Sequence, residues 1–173
     1  SIERVKEVLE YNLANKKTAR ENKNIPFKEK TATTGVVIAA STGGPSALME
    51  LVKNIEANDR ASFFIVLHGP EWMLKNFSER LNSIAQMPVL LGEDKMKIET
   101  AKIYLAPGNK HMLINSQKGE IELNDDPPVN FVKPAADVLF KSAAHYFGSK
   151  TIGVVMTGMG KDGSTGCGYI SAA

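Results

Sequence analysis

Three residues of this chain have the side-chain types of a hydrolytic triad. They are Ser41, His68 and Asp162. A serine hydroxyl is a poor nucleophile near neutral pH unless an imidazole removes its proton, and a carboxylate on the other ring nitrogen orients that imidazole. These residues lie far apart in the sequence, so the fold must bring them together.

Each of the three follows an apolar run rich in β-branched residues, the pattern of a strand buried on both faces of a parallel sheet. The runs are residues 36–40, 63–67 and 151–156. Helical periodicity is found at residues 46–56, 71–86 and 135–147, and a further helix is expected from Ser164. This alternation predicts a doubly wound, mostly parallel α/β sheet, which gathers at one edge the residues that follow its strands.

Two glycine-rich turns could supply the backbone N–H donors that a tetrahedral oxyanion needs. One contains Thr42, Gly43 and Gly44 and leads into a helix, and the other is the Gly-Met-Gly segment at 158–160. Losing one such donor typically costs about 3–4 kcal/mol of transition-state stabilisation. Both turns are therefore candidates for the catalytic machinery.

The middle of the chain has a different pattern. A short strand is expected at 88–91, followed by three short segments separated by turns, at 102–106, 111–115 and 120–123. We interpret these three as a small antiparallel hairpin excursion. In the helix at 71–86, the residues expected on the buried face are Trp72, Phe77, Leu81 and Ile84.

The N-terminal segment differs in charge from the rest of the chain. Residues 1–34 hold eight Lys and Arg against five Asp and Glu, whereas the remainder holds thirteen against fourteen. Apolar residues at helical spacing are followed at 16–30 by a polar stretch, which could be a basic docking patch but is more typical of a connector. We interpret 1–34 as an amphipathic helix and charged interdomain linker, and 35–173 as one domain.

Composition argues against several classes of function. The formal net charge of +2 gives no indication of nucleic acid or an anionic membrane surface as a partner. We find no signal peptide and no apolar run of the roughly 20 residues that cross a bilayer, so we expect a cytoplasmic protein without membrane insertion. The single cysteine, Cys167, excludes an intrachain disulfide, and we interpret it as a packing residue.

No cofactor or metal is expected. The histidines lack metal-ligand spacing, and His111 and His145 are interpreted as surface or structural residues. Neither a dinucleotide fingerprint nor a P-loop is present. Position alone leaves two alternatives to a catalytic triad. One is a phosphate-binding turn (a phosphate cradle) at 41–44. The other is a structural role for each residue: Ser41 as a helix cap, His68 as a hydrogen-bonded strand end and Asp162 as a turn residue.

Six segments closely resemble, in order, the catalytic domain of the CheB family of chemotaxis protein-glutamate methylesterases. They are VIAASTGGP (37–45), HGP (68–70), APGNKHM (106–112), DPPVN (126–130), DVLF (137–140) and MTGMGKDG (156–163). The resemblance extends from about residue 35 to the end of the chain. It implies that Ser41 is the nucleophile, His68 the base, Asp162 the orienting carboxylate and the N–H of Met159 an oxyanion donor.

The resemblance also implies a substrate and a regulator. The substrate would be methylated glutamates on the cytoplasmic helices of chemoreceptors, hydrolysed with release of methanol, and some members also deamidate receptor glutamines. Members usually carry an N-terminal receiver domain. We expect this domain to be absent here, with 1–34 resembling its trailing edge and the connector. A receptor-docking module without activity is the third hypothesis, beside the esterase and the phosphate- or nucleotide-binding domain.

The sequence departs from the family pattern in three places. Gly69 stands where a methionine is usual, and residues 131–133 differ from the basic sequence often found there. Both could alter how substrate fits while leaving the triad intact. The chain also ends several tens of residues before the usual end, so we expect an incomplete domain with an exposed sheet edge.

Overall fold

The computed structural model describes residues 32–57, 59–158 and 160–173. The strands are β1 (Thr34–Ala40), β2 (Ala61–Leu67), β3 (Val89–Leu91), β4 (Ile103–Leu105), β5 (His111–Asn115), β6 (Glu120–Asn124) and β7 (Thr151–Val155). The helices are α1 (Gly44–Asn54), α2 (Glu71–Ile84), α3 (Ala136–Phe147) and α4 (Ser164–Ala172), and a 3₁₀ turn spans Gly148–Lys150. The helix and most of the linker expected at 1–34 lie outside the described residues.

The main sheet has the strand order β3-β4-β2-β1-β7, and every pairing in it is parallel. All seven residues of β1 and all seven of β2 are buried. Helices α1 and α2 pack on one face, through side chains such as Leu48 and Leu74. Helices α3 and α4 and the β5–β6 hairpin cover the other face, through side chains such as Phe140 and Met112. The doubly wound parallel sheet expected from the sequence is confirmed.

The hairpin is smaller than the sequence predicts. Strands β5 and β6 pair antiparallel as expected, but the interpretation of 102–106 as part of this excursion is wrong. Residues Ile103–Leu105 pair parallel with both β2 and β3 and are fully buried. The run Ile-Tyr-Leu is apolar on both faces of the strand. A strand buried between two layers of structure removes both faces from water, whereas a half-exposed hairpin would leave one face in contact with it.

Two further expectations about burial are corrected. Trp72 is 70% exposed, because the buried stripe of α2 passes through Leu74, Phe77, Ser78 and Leu81. Trp72 is two positions from Leu74, which places it about 200° around the helix, on the side opposite the buried stripe. Strand β7 pairs only with β1 among the described strands, and its Val155 is 53% exposed, so it is an edge strand rather than a buried one.

The order of the strands places β1 between β2 and β7. Their registers align Ala40 with Leu67 and Ala39 with Val155, so the three strands end at nearly the same level. Backbone hydrogen bonds continue the pairing past the strand ends, from the His68 N–H to the Ala40 carbonyl at 3.2 Å. The segments that carry the three candidate residues therefore leave the sheet side by side. None of the described helices has the length and apolar character needed to cross a membrane.

Candidate active site

The imidazole of His68 is joined to the carboxylate of Asp162. The distance from His68 Nε2 to Asp162 Oδ2 is 2.8 Å, and the two side chains are 18% and 5% exposed. A carboxylate accepts a hydrogen bond at this distance, so the Nε2–H tautomer is the one that fits the neutral ring. Nδ1 is then left as the ring's proton acceptor, which is the arrangement a general base needs.

Asp162 is held in place by the first amides of α3. Its Oδ2 accepts from the N–H of Ala136 at 2.6 Å, and its Oδ1 accepts from the N–H of Asp137 at 3.0 Å. Burial opposes ionisation of this carboxyl group, but the hydrogen bonds from His68, Ala136 and Asp137 outweigh it and lower the pKa of Asp162 below its ordinary value. Asp162 is therefore a fixed anion at neutral pH.

Ser41 occupies the turn between β1 and α1, and this turn is bound to the segment that follows β7. The Ser41 N–H donates to the Thr157 carbonyl at 2.7 Å, and the Thr157 hydroxyl donates to the carbonyl of Thr42. The next residue, Gly158, passes so close that a Cβ built on it would lie 2.5 Å from the Ser41 Cβ. Glycine at 158 thus permits the two turns to meet beside the candidate nucleophile.

A small cavity of about 80 Å³ brings the three predicted residues together. Ser41, His68 and Asp162 all line it, with Thr157 and Gly158 from the neighbouring turn. Among the described residues the Ser41 hydroxyl has no hydrogen-bond partner, and no bond between it and His68 is formed. Catalytic hydrogen bonds are often long in the absence of substrate and tighten when it binds.

The predicted oxyanion donors fall into three groups. The amide of Gly44 donates to the Ser41 carbonyl at 2.7 Å, so it is engaged in the turn. The amides of the exposed residues Thr42 and Gly43 have no partner among the described residues. Met159 lies outside the described residues. Two N–H groups next to Ser41 are therefore unpaired among the described residues, although neither Thr42 nor Gly43 lines the cavity itself.

Sequence reasoning missed the residues that support this site. Thr157, Asn130 and Asp137 all contact the triad or its turns. Asn130 and Asp137 belong to motifs that suggested the family, DPPVN and DVLF, but nothing in a linear pattern shows that they reach Asp162. Their role depends on the packing of α3 against the loop that precedes α4.

Comparison with known proteins identifies the family of this chain. The family model described as CheB methylesterase matches residues 36–173, which is most of the chain and all of the sheet except the start of β1. The chain belongs to the CheB methylesterase family.

Curated relatives carry the name protein-glutamate methylesterase/protein-glutamine glutaminase. The Pyrococcus abyssi protein is 41% identical over 137 residues, which cover 78% of this chain and 37% of that protein. The Pectobacterium atrosepticum protein is 38% identical over 133 residues, which cover 76% and 38%. The chain thus spans less than half the length of these relatives. The crystal structure of the Thermotoga maritima CheB methylesterase catalytic domain aligns with a TM-score of 0.77 at 35% identity, covering 80% of this chain and 75% of that one.

The departure from the CheB pattern at Gly69 has a structural counterpart. A Cβ built on Gly69 would lie 2.1 Å from the methyl carbon of Met73. The Met73 side chain, in the first turn of α2, therefore fills the space that a side chain at position 69 would enter.

The remaining candidates have other surroundings. His111 is fully buried, where its Nδ1 accepts from the Ala135 N–H at 3.2 Å and its Nε2 lies 3.1 Å from the Pro127 carbonyl. It is a structural residue, as expected, and His145 is exposed. Burial raises the pKa of the Cys167 thiol, which disfavours the reactive thiolate. Within the described part of the chain, no three His, Cys, Asp or Glu side chains are grouped to hold a metal ion.

Proposed function

We propose that the protein hydrolyses the γ-methyl esters of glutamate side chains on the cytoplasmic helices of chemoreceptors. The observation that carries this proposal is the 2.8 Å bond between His68 and Asp162 at a cavity that Ser41 also lines. Membership of the CheB methylesterase family supports the choice of ester. The names of the relatives support a second reaction at the same site, deamidation of glutamine.

In the proposed reaction, Ser41 Oγ attacks the ester carbonyl carbon while Nδ1 of His68 takes the hydroxyl proton. Asp162 keeps the ring in the Nε2–H tautomer and stabilises the imidazolium that forms. When the tetrahedral intermediate collapses, His68 returns the proton to the leaving oxygen, so methanol departs and an acyl-serine remains. Water, deprotonated by the same imidazole, then attacks the acyl-serine; the imidazolium returns that proton to the departing Ser41 Oγ, which frees the enzyme and a glutamate carboxylic acid that ionises to the carboxylate.

The oxyanion of each intermediate needs donors that are already in position. We assign this role to the amides of Thr42 and Gly43, and to the amide of Met159 as the family resemblance implies. The Gly44 amide instead shapes the turn through its bond to the Ser41 carbonyl. A glutamine side chain would pass through the same steps, with ammonia leaving in place of methanol. We also propose that a receiver domain regulates this hydrolysis, as the family resemblance implies.

The rival hypothesis of a phosphate cradle at 41–44 has less support. An anion at a helix start needs several free N–H groups, and the Gly44 amide is already occupied. The histidine–carboxylate pair would also have no role in such a site.

A methanol-release assay tests the proposal. The substrate is a receptor cytoplasmic fragment carrying glutamate methyl esters, and the control is the same fragment left unesterified. We expect methanol from the esterified fragment only, and ammonia from a fragment carrying glutamines at those sites. Receptor binding without release would favour the docking-module hypothesis, and binding of a nucleotide without release would favour the phosphate cradle.

A further inference from the structure

Two carboxylates near the active site cap each other's helices: Asp162 accepts from the first amides of α3, and Asp137 accepts from amides at the start of α4. Asp162 lies just before α4 but accepts from the first amides of α3, those of Ala136 and Asp137. Asp137 lies in the first turn of α3, and its Oδ1 accepts from the amides of Gly163 at 2.9 Å and Gly166 at 2.7 Å, at the start of α4. The two helix starts are thus joined by a reciprocal pair of caps.

Asn130 joins the two carboxylates directly. Its Nδ2 donates to Asp137 Oδ2 at 2.8 Å and lies 3.4 Å from Asp162 Oδ1. Asn130 sits in a two-residue turn closed by backbone bonds between Val129 and Val132, and its φ of 53° lies in the left-handed region. Asparagine tolerates that region better than most residues, so the turn presents the amide without requiring glycine.

Asp137 itself is only 9% exposed and does not line the cavity. A buried carboxylate is costly unless hydrogen bonds satisfy it, and both of its oxygens are satisfied by the bonds described above. All of these partners lie in the segments that set the position of Asp162. Asp137 has no hydrogen bond to His68 among the described residues, so Asp162 is the direct link between them.

We propose that Asp137 is a positioning residue, which, with Asn130, holds the Asp162 carboxylate in line with His68. This inference rests on the proposed function for its kinetic consequence, because a displaced Asp162 would leave His68 less well oriented as a base. Its structural consequence, the state of the bond between His68 and Asp162, does not depend on any activity.

The test compares four variants with the parent protein. Asp137→Ala removes the cap of α4, and Asp137→Asn keeps one carbonyl oxygen for the amides of Gly163 and Gly166. Asn130→Gly removes only the bridging amide and suits the left-handed turn. Ser142→Ala is the matched control, because Ser142 lies on the same helix, accepts from the Ile114 amide at 3.1 Å and has no contact with Asp162.

Two readouts separate positioning from simple destabilisation. The first is the low-field proton NMR resonance of the His68 Nε2–H, assigned by its loss in a His68→Gln variant. The second is the division between kcat and KM for methanol release, with each rate corrected for the folded fraction at the assay temperature. Thermal unfolding of every variant supplies that fraction.

We expect kcat to fall about 10- to 100-fold in Asp137→Ala, with KM little changed, because small displacements of catalytic groups are costly. Asn130→Gly should lower kcat about tenfold. It should also lower the unfolding temperature, because Asp137 Oδ2 loses its 2.8 Å donor; the rate is therefore compared at a temperature where the variant is folded. In both variants, the His68 Nε2–H signal should broaden or shift to higher field. Asp137→Asn should recover only part of the rate, because its one carbonyl oxygen can serve the Gly163 and Gly166 amides but leaves Asn130 Nδ2 without its acceptor. Ser142→Ala should keep both signal and kcat.

An unchanged His68 Nε2–H signal in Asp137→Ala and Asn130→Gly would overturn the proposal. If Asp137→Ala does not fold, Asn130→Gly alone decides between the two results. A parent protein that releases no methanol would refute the proposed function, while the NMR comparison would still decide whether Asp137 positions Asp162.

Discussion

The substitution Gly158→Ala examines how closely the two catalytic turns are packed. A Cβ at position 158 would lie 2.5 Å from the Ser41 Cβ and 3.4 Å from the Ser41 Cα and N. Ordinary contacts between a Cβ and another heavy atom begin at 3.4 Å, so the two turns would have to separate by about 1 Å. Separating them would also stretch the 2.7 Å bond from the Ser41 N–H to the Thr157 carbonyl.

A misplacement of about 1 Å at a catalytic group lowers the rate about 100-fold, which corresponds to about 2.7 kcal/mol of activation free energy. Overpacking should also lower the free energy of unfolding by about 1–3 kcal/mol. We therefore expect kcat/KM for methanol release to fall about 100-fold in Gly158→Ala, measured at a temperature where the variant is fully folded. Urea unfolding gives the accompanying loss of stability.

The matched control is Gly168→Ala. Gly168 lies in α4, and a Cβ built on it would have no atom within 4 Å. Alanine there should leave kcat/KM unchanged and raise the free energy of unfolding by about 0.5–1 kcal/mol, since glycine is unfavourable inside a helix. Parental kcat/KM in Gly158→Ala would refute the conclusion that these two turns position Ser41 through direct contact.

Three further predictions concern charge and packing. Because the pKa of Asp162 is lowered from 3.8 in the folded protein, its stabilisation is present above that ordinary value and is lost as pH falls through the folded pKa. Asp162→Asn should therefore show a shallower loss of unfolding free energy in urea titrations between about pH 5 and pH 2, and an equal slope would contradict this. Tyr104→Phe should cost about 1–3 kcal/mol in urea unfolding, because it leaves the Glu99 N–H without its 2.8 Å acceptor; no measurable loss would argue against that bond. Gly69→Ala should retain kcat within about threefold, since the Met73 methyl group it would meet ends a flexible chain, and a 100-fold loss would show that Met73 cannot move.

The sequence allowed the position of the site to be predicted because parallel sheets obey a simple rule. Residues that follow adjacent buried strands meet at one edge, and this applied to Ser41, His68 and Asp162 although up to 121 positions separate them. Continuous apolar runs identified β1 and β2 for the same physical reason, burial on both faces. The domain boundary at 34–35 stays a prediction, because most of the segment before it lies outside the described residues.

Other features depend on packing that a linear pattern does not contain. Residues 103–105 are short enough to suit either a hairpin or a buried strand, and only their neighbours β2 and β3 decide between them. Trp72 is apolar, yet the stripe that α2 buries passes on its other side. The contacts of Asp137 and Asn130 with Asp162 arise from two helix starts meeting in space, which neither motif reveals alone.

The most direct test of the central claim is methanol release by Ser41→Ala on the esterified receptor fragment, with receptor binding measured in parallel. If Ser41 is the nucleophile that the His68–Asp162 pair activates, kcat for release should fall about 10⁴-fold or more, leaving only the residual rate that oxyanion donors and binding support, while the dissociation constant for the fragment stays within about threefold. Release at the parental rate would contradict the account, because no acyl-serine could then lie on the reaction path.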